Sequence, residues 1–308
     1  MRIISFLPAA TEMACALGLE DSIVGVSAEC DHPASVRGKP VVVHSALSLA
    51  TMAPSEIDEA VRHTLHETGT LYAVNEELLR ALEPDLILTQ DLCQVCAPSG
   101  NDISRFIASL ARRPDVLYLT PHTLDDVDDN LRALGDATGR RANADAIIAA
   151  NRARLDAVAT CVASVDERPT VFFAEWVDPL YCAGHWVPEM IERAGGIPLL
   201  ARRGGDSVRV TRDDVLAARP EVVIVAPCGF DADAAAKQAT LLDLPAKRVF
   251  AVDANAYFAR PGPRLIDGVE LLTQLLHPEL VPELSSIAIQ QQQQRRECSR
   301  WQTGRTQP

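Results

Sequence analysis

Short apolar runs separated by helical patterns constrain the fold of this 308-residue chain more than any other feature. The runs cover residues 2–7, 22–27, 40–43, 85–90 and 115–120, then 169–175, 196–200, 221–226 and 248–253, each bounded by proline, glycine or charge. A run that short and that continuously apolar reads as a strand buried on both faces, the pattern of a parallel sheet. Helical periodicity fills residues 54–67, 103–112, 186–194 and 263–276. Strands alternating with helices build βαβ units, and hence sheets covered on both sides. The class is α/β, and the length is too great for one small core and ample for two lobes.

Between the two groups of strands lies an almost purely helical stretch. Thr123 is a candidate N-cap with Asp126 three residues on. Leu124, Val127, Leu131 and Leu134 keep helical spacing, Gly135 and Gly139 punctuate it, and neither glycine nor proline occurs from Arg141 to Arg168. Ile148, Leu155, Val158, Val162 and Val165 continue the stripe. A helix of about 25 residues is about 37 Å long. The expected organisation is therefore two Rossmann-like lobes with central parallel sheets, joined by a long rigid helix. The boundaries read as an N-terminal lobe over 1–122, a helical connector over 123–168, a C-terminal lobe over 169–280 and a tail over 281–308. The tail carries Gln290 to Gln294 followed by Arg295, Arg296, Arg300 and Arg305, too polar to bury a core, and is expected to be disordered.

An internal repeat supports two related lobes. From Glu77 to Leu88 and from Asp213 to Ile224 the chain runs through an acid, a short helix, a proline seven residues later, another acid and a buried strand. A helix–proline–strand unit is also common in unrelated α/β proteins.

Charge and cysteine usage narrow the function. A net charge of −13 repels a phosphate backbone, which excludes nucleic acid as the expected partner and suits a small-molecule binder. No apolar run reaches the roughly 20 residues that cross a bilayer. The first strand pattern begins at Arg2 with Pro8 just after it, in place of a secretory leader. The sequence as written is thus expected in the cytoplasm, or in the periplasm if translation starts elsewhere, and as a monomer. Eight scattered cysteines do not suggest a disulfide framework. Cys93 and Cys96 form a CxxC after the 85–90 strand. They read as structural thiols, as a metal or ligand contact (with Cys30 and His32 completing a zinc set), or as the centre of a cytosolic thiol- or metal-dependent oxidoreductase. No GxGxxG follows the first strand, and P-loop, GxSxG and HExxH motifs are absent, so binding is a simpler reading than catalysis.

His185, in Ala183-Gly184-His185-Trp186, is the other candidate. Glycine lets the backbone approach a ligand, and a neutral imidazole is a common metal ligand. A hydrogen-bonded structural histidine fits the same residues.

Four segments resemble the substrate-binding proteins that carry cobalamin, haem or ferric siderophores for ABC importers. They are Leu7-Pro8-Ala9-Ala10-Thr11-Glu12, Ser27-Ala28-Glu29-Cys30-Asp31-His32-Pro33, the Glu77 to Leu88 stretch, and Tyr257-Phe258-Ala259-Arg260-Pro261-Gly262-Pro263-Arg264. The similarity is greatest to the cobalamin-binding members. The resemblance implies a non-enzymatic binder holding a corrinoid in an inter-lobe cleft, as the substrate-binding component of an ABC-type uptake system or as a cytoplasmic relative of one, with haem or a ferric siderophore as the alternative cargo. It places Tyr72, Tyr181 and Tyr257 near aromatic pocket positions, with Trp176, Trp186 and Phe258 close by. Arg260 matches a pocket arginine, and Gln90 stands where relatives have tryptophan. Glu77 and Asp213 match the acids that dock on permease arginines, Asp213 being one methylene shorter than the usual glutamate. The same two acids also suit the positive end of a helix dipole. In this setting His185 becomes a candidate axial ligand to cobalt or haem iron.

Overall fold

A computed structural model describes residues 1–47, 52–90, 107, 110 and 112–280. Two compact units emerge, one of Met1–Pro121 with Asp125–Ile148, the other of His122–Leu124 with Ala149–Pro308.

In the first unit the apolar runs become strands β1 (Ile3–Ser5), β2 (Ile23–Ser27), β3 (Val41–Ser45), β4 (Tyr72–Val74), β5 (Leu86–Thr89) and β6 (Asp115–Tyr118). They lie in the order β4-β3-β2-β1-β5-β6. All neighbours are parallel except β4, which runs against β3. The carboxyl ends Ser5, Ser27, Ser45 and Thr89 therefore share one edge, and the antiparallel start of β4 brings Tyr72 to it opposite Ser45. Below that edge Ile4, Phe6, Val42, Val43, Leu79, Ile87 and Ile107 form the core.

Helix Leu124–Thr138 ends at Gly139, whose φ of +68° makes the left-handed turn that glycine accepts most readily, and helix Arg141–Val162 follows. Gly135, expected as a break, lies inside the first helix. A Cβ there would sit 3.0 Å from the Ala144 side chain and 3.1 Å from Arg141 Cα, so its role is to let the next helix start close by. The division between the units falls at Ile148, within the second helix.

The second unit holds β7 (Thr170–Val177), β8 (Leu180–Cys182), β9 (Ile197–Pro198), β10 (Val208–Arg209), β11 (Val222–Val225) and β12 (Arg248–Ala251). Their order is β10-β8-β7-β11-β12, with β9 beside β7. β11 is parallel to both β7 and β12, while β8 folds back antiparallel on β7. The run at 196–200 supplies only the two-residue β9, because the chain turns away at Leu200, whose φ is +60°. Helix Leu265–Leu276 is buried over most of its surface. Arg154 donates from Nε to its Glu270 at 2.9 Å and from Nη2 to its Asp267 at 2.5 Å.

The sequence repeat is a structural one. Asn75 caps helix Glu76–Ala81 by accepting Leu78 N–H, and Thr211 caps helix Arg212–Ala218 by accepting Asp214 N–H. Leu79 and Val215, the equivalent inward residues, are both fully buried. The helices end at Glu83 and Arg219, non-glycine residues with φ of +39° and +50°. The acids that follow do the same work. Asp85 accepts Arg2 N–H at 2.8 Å before β1, and Glu221 accepts Thr170 N–H at 3.2 Å at the start of β7.

Candidate functional site

In an open α/β sheet, ligands gather at the carboxyl ends of the strands. In the second unit β7 overruns its neighbour: Val225 closes β11 opposite Ala174, so Glu175, Trp176 and Val177 lie beyond that pair, where Trp176 and Val177 pair with the returning β8 and Glu175 falls at a register shift. Tyr181 lies opposite Trp176 on that hairpin. The Trp176 ring meets Phe230 edge-on at 5.6 Å.

Directly after β8 comes His185. Its φ of +53° puts a residue with a Cβ in the left-handed region, which is held only where the surroundings demand it. A neighbouring loop supplies the demand. His185 donates its N–H to Gly205 O, and its own carbonyl accepts Gly204 N–H at 2.8 Å. Gly184 donates to Ser207 Oγ at 3.2 Å. A Cβ on Gly184 would lie 2.4 Å from Asp206 C and Ser207 N. The close approach that the glycine permits is therefore to the chain's own backbone, a partner the sequence did not reveal.

The imidazole is flanked by His122, ring centres 5.9 Å apart, and by Trp186 at 5.5 Å. Its Nε2 lies 3.7 Å from Asp206 Oδ1. Burial holds the His185 pKa below its ordinary value, with His122 pushing the same way and Asp206 opposing. This environment favours the neutral imidazole over the charged one. Trp186 is itself buried and donates Nε1–H to Phe258 O at 2.7 Å. Phe258 packs on Phe173 at 5.0 Å and on Tyr257 at 6.3 Å. Tyr257 and Arg260 are half-buried on this stretch. The charge of Arg260 acts on Asp253, whose carboxyl burial pushes up. One connected row thus links His122, His185, Trp186, Phe258 and Tyr257. Among these His122 had no sequence signal, since it sits in a linker between strand and helix.

A family model described as periplasmic binding protein matches residues 3–252. The chain belongs to that family. A vitamin B12-binding protein of Vibrio cholerae serotype O1 (strain ATCC 39541 / Classical Ogawa 395 / O395) is 28% identical to it, over 87% of this chain and 86% of the relative. An uncharacterized ABC transporter substrate-binding lipoprotein of Bacillus subtilis (strain 168) is 24% identical, over 92% and 82%. The fold matches the periplasmic heme-binding protein of Roseiflexus sp. RS-1 with a TM-score of 0.67 at 23% identity, covering 91% of this chain and 99% of that one. The periplasmic vitamin B12-binding protein of Vibrio cholerae gives 0.64 at 24%, covering 92% and 98%.

In this binding protein's first unit, Tyr72 and Gln90 lie on the carboxyl edge. Tyr72 is half-buried against the core, and Gln90 is buried one residue past β5. Four strand steps of about 4.8 Å separate β4 from β5, so the two are about 19 Å apart along the edge. Glu77 and Asp213 occupy the second position of their respective helices, and both are exposed. Cys93 and Cys96, like the glutamine tract, lie outside the described residues. Cys30 is buried with Sγ 3.1 Å from Thr11 Oγ1. Among the described residues no group of three or more metal-ligating side chains could hold an ion, and no helix is long and apolar enough to cross a membrane.

Proposed function

We propose that the chain captures a corrinoid, cobalamin or a close relative, as the substrate-binding component of an ABC-type uptake system. The observation that carries this reading is the cluster of His122, His185 and Trp186, tied by the Trp186 indole to the Phe258 backbone beside Tyr257, in a chain of the periplasmic binding protein family. A flat, partly apolar macrocycle is held best by aromatic faces with a few polar anchors. His185 supplies a neutral imidazole for cobalt, Tyr181 and Tyr257 supply ring faces, and Arg260 supplies donors for peripheral amides. Trp186 braces His185 from below. Tyr72 and Gln90 offer a second set on the first unit. The vitamin B12-binding relative supports the corrinoid over other cargo.

Haem is the second reading. The His122–His185 pair favours it, since imidazole serves iron as well as cobalt. Glu77 and Asp213 are proposed to dock on permease arginines, where exposed carboxylates make bidentate contacts. The ABC transporter relative supports such a partner. The relatives' descriptions as periplasmic or as lipoproteins favour capture outside the cytoplasmic membrane, which fractionation of the full-length protein checks.

Titration of the purified protein with hydroxocobalamin and with haemin, by calorimetry and visible absorbance, tests the reading. One-to-one corrinoid binding with a spectral change lost in His185→Ala is expected. Binding of haemin alone would replace the cargo, and binding of neither would remove the tetrapyrrole reading.

A further inference from the structure

Glu175 is the anomaly of the second sheet. Its neighbours on β7, Phe172, Phe173 and Ala174, are at most 2% exposed, while Glu175 itself is half-buried, where a carboxylate costs more than an apolar side chain. Burial pushes its carboxyl above the ordinary glutamate value, against the opposing hydrogen bonds from Ser207 and from the Gly184 backbone. Among the described residues no cation pairs with the carboxylate; it accepts the Ser207 hydroxyl at 2.7 Å. That same hydroxyl oxygen accepts Gly184 N–H at 3.2 Å. Ser207 therefore ties the carboxyl-terminal part of β7 to the residue immediately before His185.

The tie closes on His185 from both sides. Gly204 and Gly205 engage its carbonyl and its N–H. Asp206, between Gly205 and Ser207, faces its ring. With a Cβ and a φ of +53°, His185 would relax to negative φ if released, turning the imidazole away from His122 and Trp186. A partly buried polar group held by specific hydrogen bonds specifies a position better than an apolar contact does.

We propose that Glu175 and Ser207 are positioning residues for His185, fixing through the 204–207 loop where its imidazole meets the captured ring. The inference rests on the reading that His185 faces that ring. Neither Glu175 nor Ser207 needs to touch the ligand.

The full-length chain tests this with Ser207→Ala, Glu175→Ala and the conservative Glu175→Gln, whose amide oxygen can still accept the serine hydroxyl. Ring resonances of the histidines are followed by NMR in the ligand-free protein, His185 being assigned by its loss in His185→Gln. Ser207→Ala and Glu175→Ala are expected to shift and broaden the His185 signal, and Glu175→Gln to restore it. The His44 signal, on β3 of the first unit, should stay in place in all three, which separates repositioning from general loss of structure. Hydroxocobalamin affinity should fall about tenfold in Ser207→Ala, the worth of one well-placed hydrogen bond. It should fall no further when Ser207→Ala is added to His185→Ala. An unmoved His185 signal in Ser207→Ala overturns the inference, as does an equal loss of affinity in both backgrounds. If the wild type binds no corrinoid while Ser207→Ala still displaces the His185 signal, the clamp stands and the cargo assignment falls. Should Glu175→Ala fail to fold, Ser207→Ala carries the test alone, since it deletes a single hydroxyl from a half-buried loop.

Discussion

Replacing Gly184 with alanine is expected to destabilise the second unit by about 3 kcal/mol. The new Cβ would lie 2.4 Å from Asp206 C and Ser207 N, and 2.5 Å from Gly205 O. All three are backbone atoms of one segment, so no rotamer change relieves the clash. Carbon contacts settle near 3.5 Å or more, so the 204–207 loop must retreat by about 1 Å. That retreat loosens the bonds from Gly184 N–H to Ser207, from His185 N–H to Gly205 and from Gly204 N–H to His185. Overpacking of this kind costs about 1–3 kcal/mol, and each weakened hydrogen bond adds up to about 1 kcal/mol, partly recovered by water. Urea unfolding followed by tryptophan fluorescence measures the loss, because Trp176 and Trp186 both lie in this unit. The melting temperature should drop by about 10 °C. Gly38→Ala is the control: nothing lies within 4 Å of its added Cβ, and it should stay within about 0.5 kcal/mol of wild type. A Gly184→Ala loss below about 1 kcal/mol would refute the reasoning, because the loop would then yield without resistance.

Other perturbations act elsewhere. Arg154→Ala leaves Glu270, whose side chain is 3% exposed, without its guanidinium, and should cost about 3–5 kcal/mol by denaturant titration. Adding Glu270→Gln should return part of that loss. Trp186→Phe removes the Nε1–H donated to Phe258 O, and should cost about 2 kcal/mol while loosening hydroxocobalamin binding. The acid limb of stability should depend on two carboxylates. The backbone N–H of Arg2, then Arg112, holds Asp85 below its ordinary 3.8, and Lys247, then the Thr170 N–H, hold Glu221 below 4.5. A carboxyl with a depressed folded pKa contributes stability that is present above the unfolded value and lost as pH falls through the folded one. The melting temperature should therefore fall more steeply below about pH 4.5 in the wild type than in Asp85→Asn combined with Glu221→Gln, in scans from about pH 6 to 3.

How much of the fold was legible depended on burial pattern. β1, β5, β11 and most of β7 are covered on both faces, so their residues form continuous apolar runs that stand out between proline and charge. β4, β8 and β10 were not assigned from sequence. They are two or three residues long and sit toward sheet edges, too short to form a run that stands out from the loops around them. Helix Pro8–Ala16 was missed for the opposite reason. Most of it is buried, so it shows no polar face against which a helical period could be measured. The repeat was legible because its proline, its acids and its strand are fixed by local backbone geometry, which the two copies share down to the left-handed turns at Glu83 and Arg219.

The candidate site was legible only in its outward members. His185, Trp186, Tyr181 and Tyr257 could be picked out as ring-bearing residues just past strand ends. What fixes His185 could not, because its clamp acts through main-chain groups and a serine that lie far along the chain. Ser207 is 23 residues from Gly184 and 32 from Glu175, with no periodicity joining them. Gly184 illustrates the limit: a glycine beside a histidine announces that something comes close, but not what. Here the space is filled by Asp206 and Ser207, which turns a residue read as a ligand contact into a support for the loop. Glu175 was hidden more deeply still, since a lone acid at the end of an apolar run looks like the solvated boundary of the strand. Its half-burial beside fully buried neighbours on β7, together with the hydroxyl it accepts from Ser207, marks it as part of the proposed device that holds the imidazole in place.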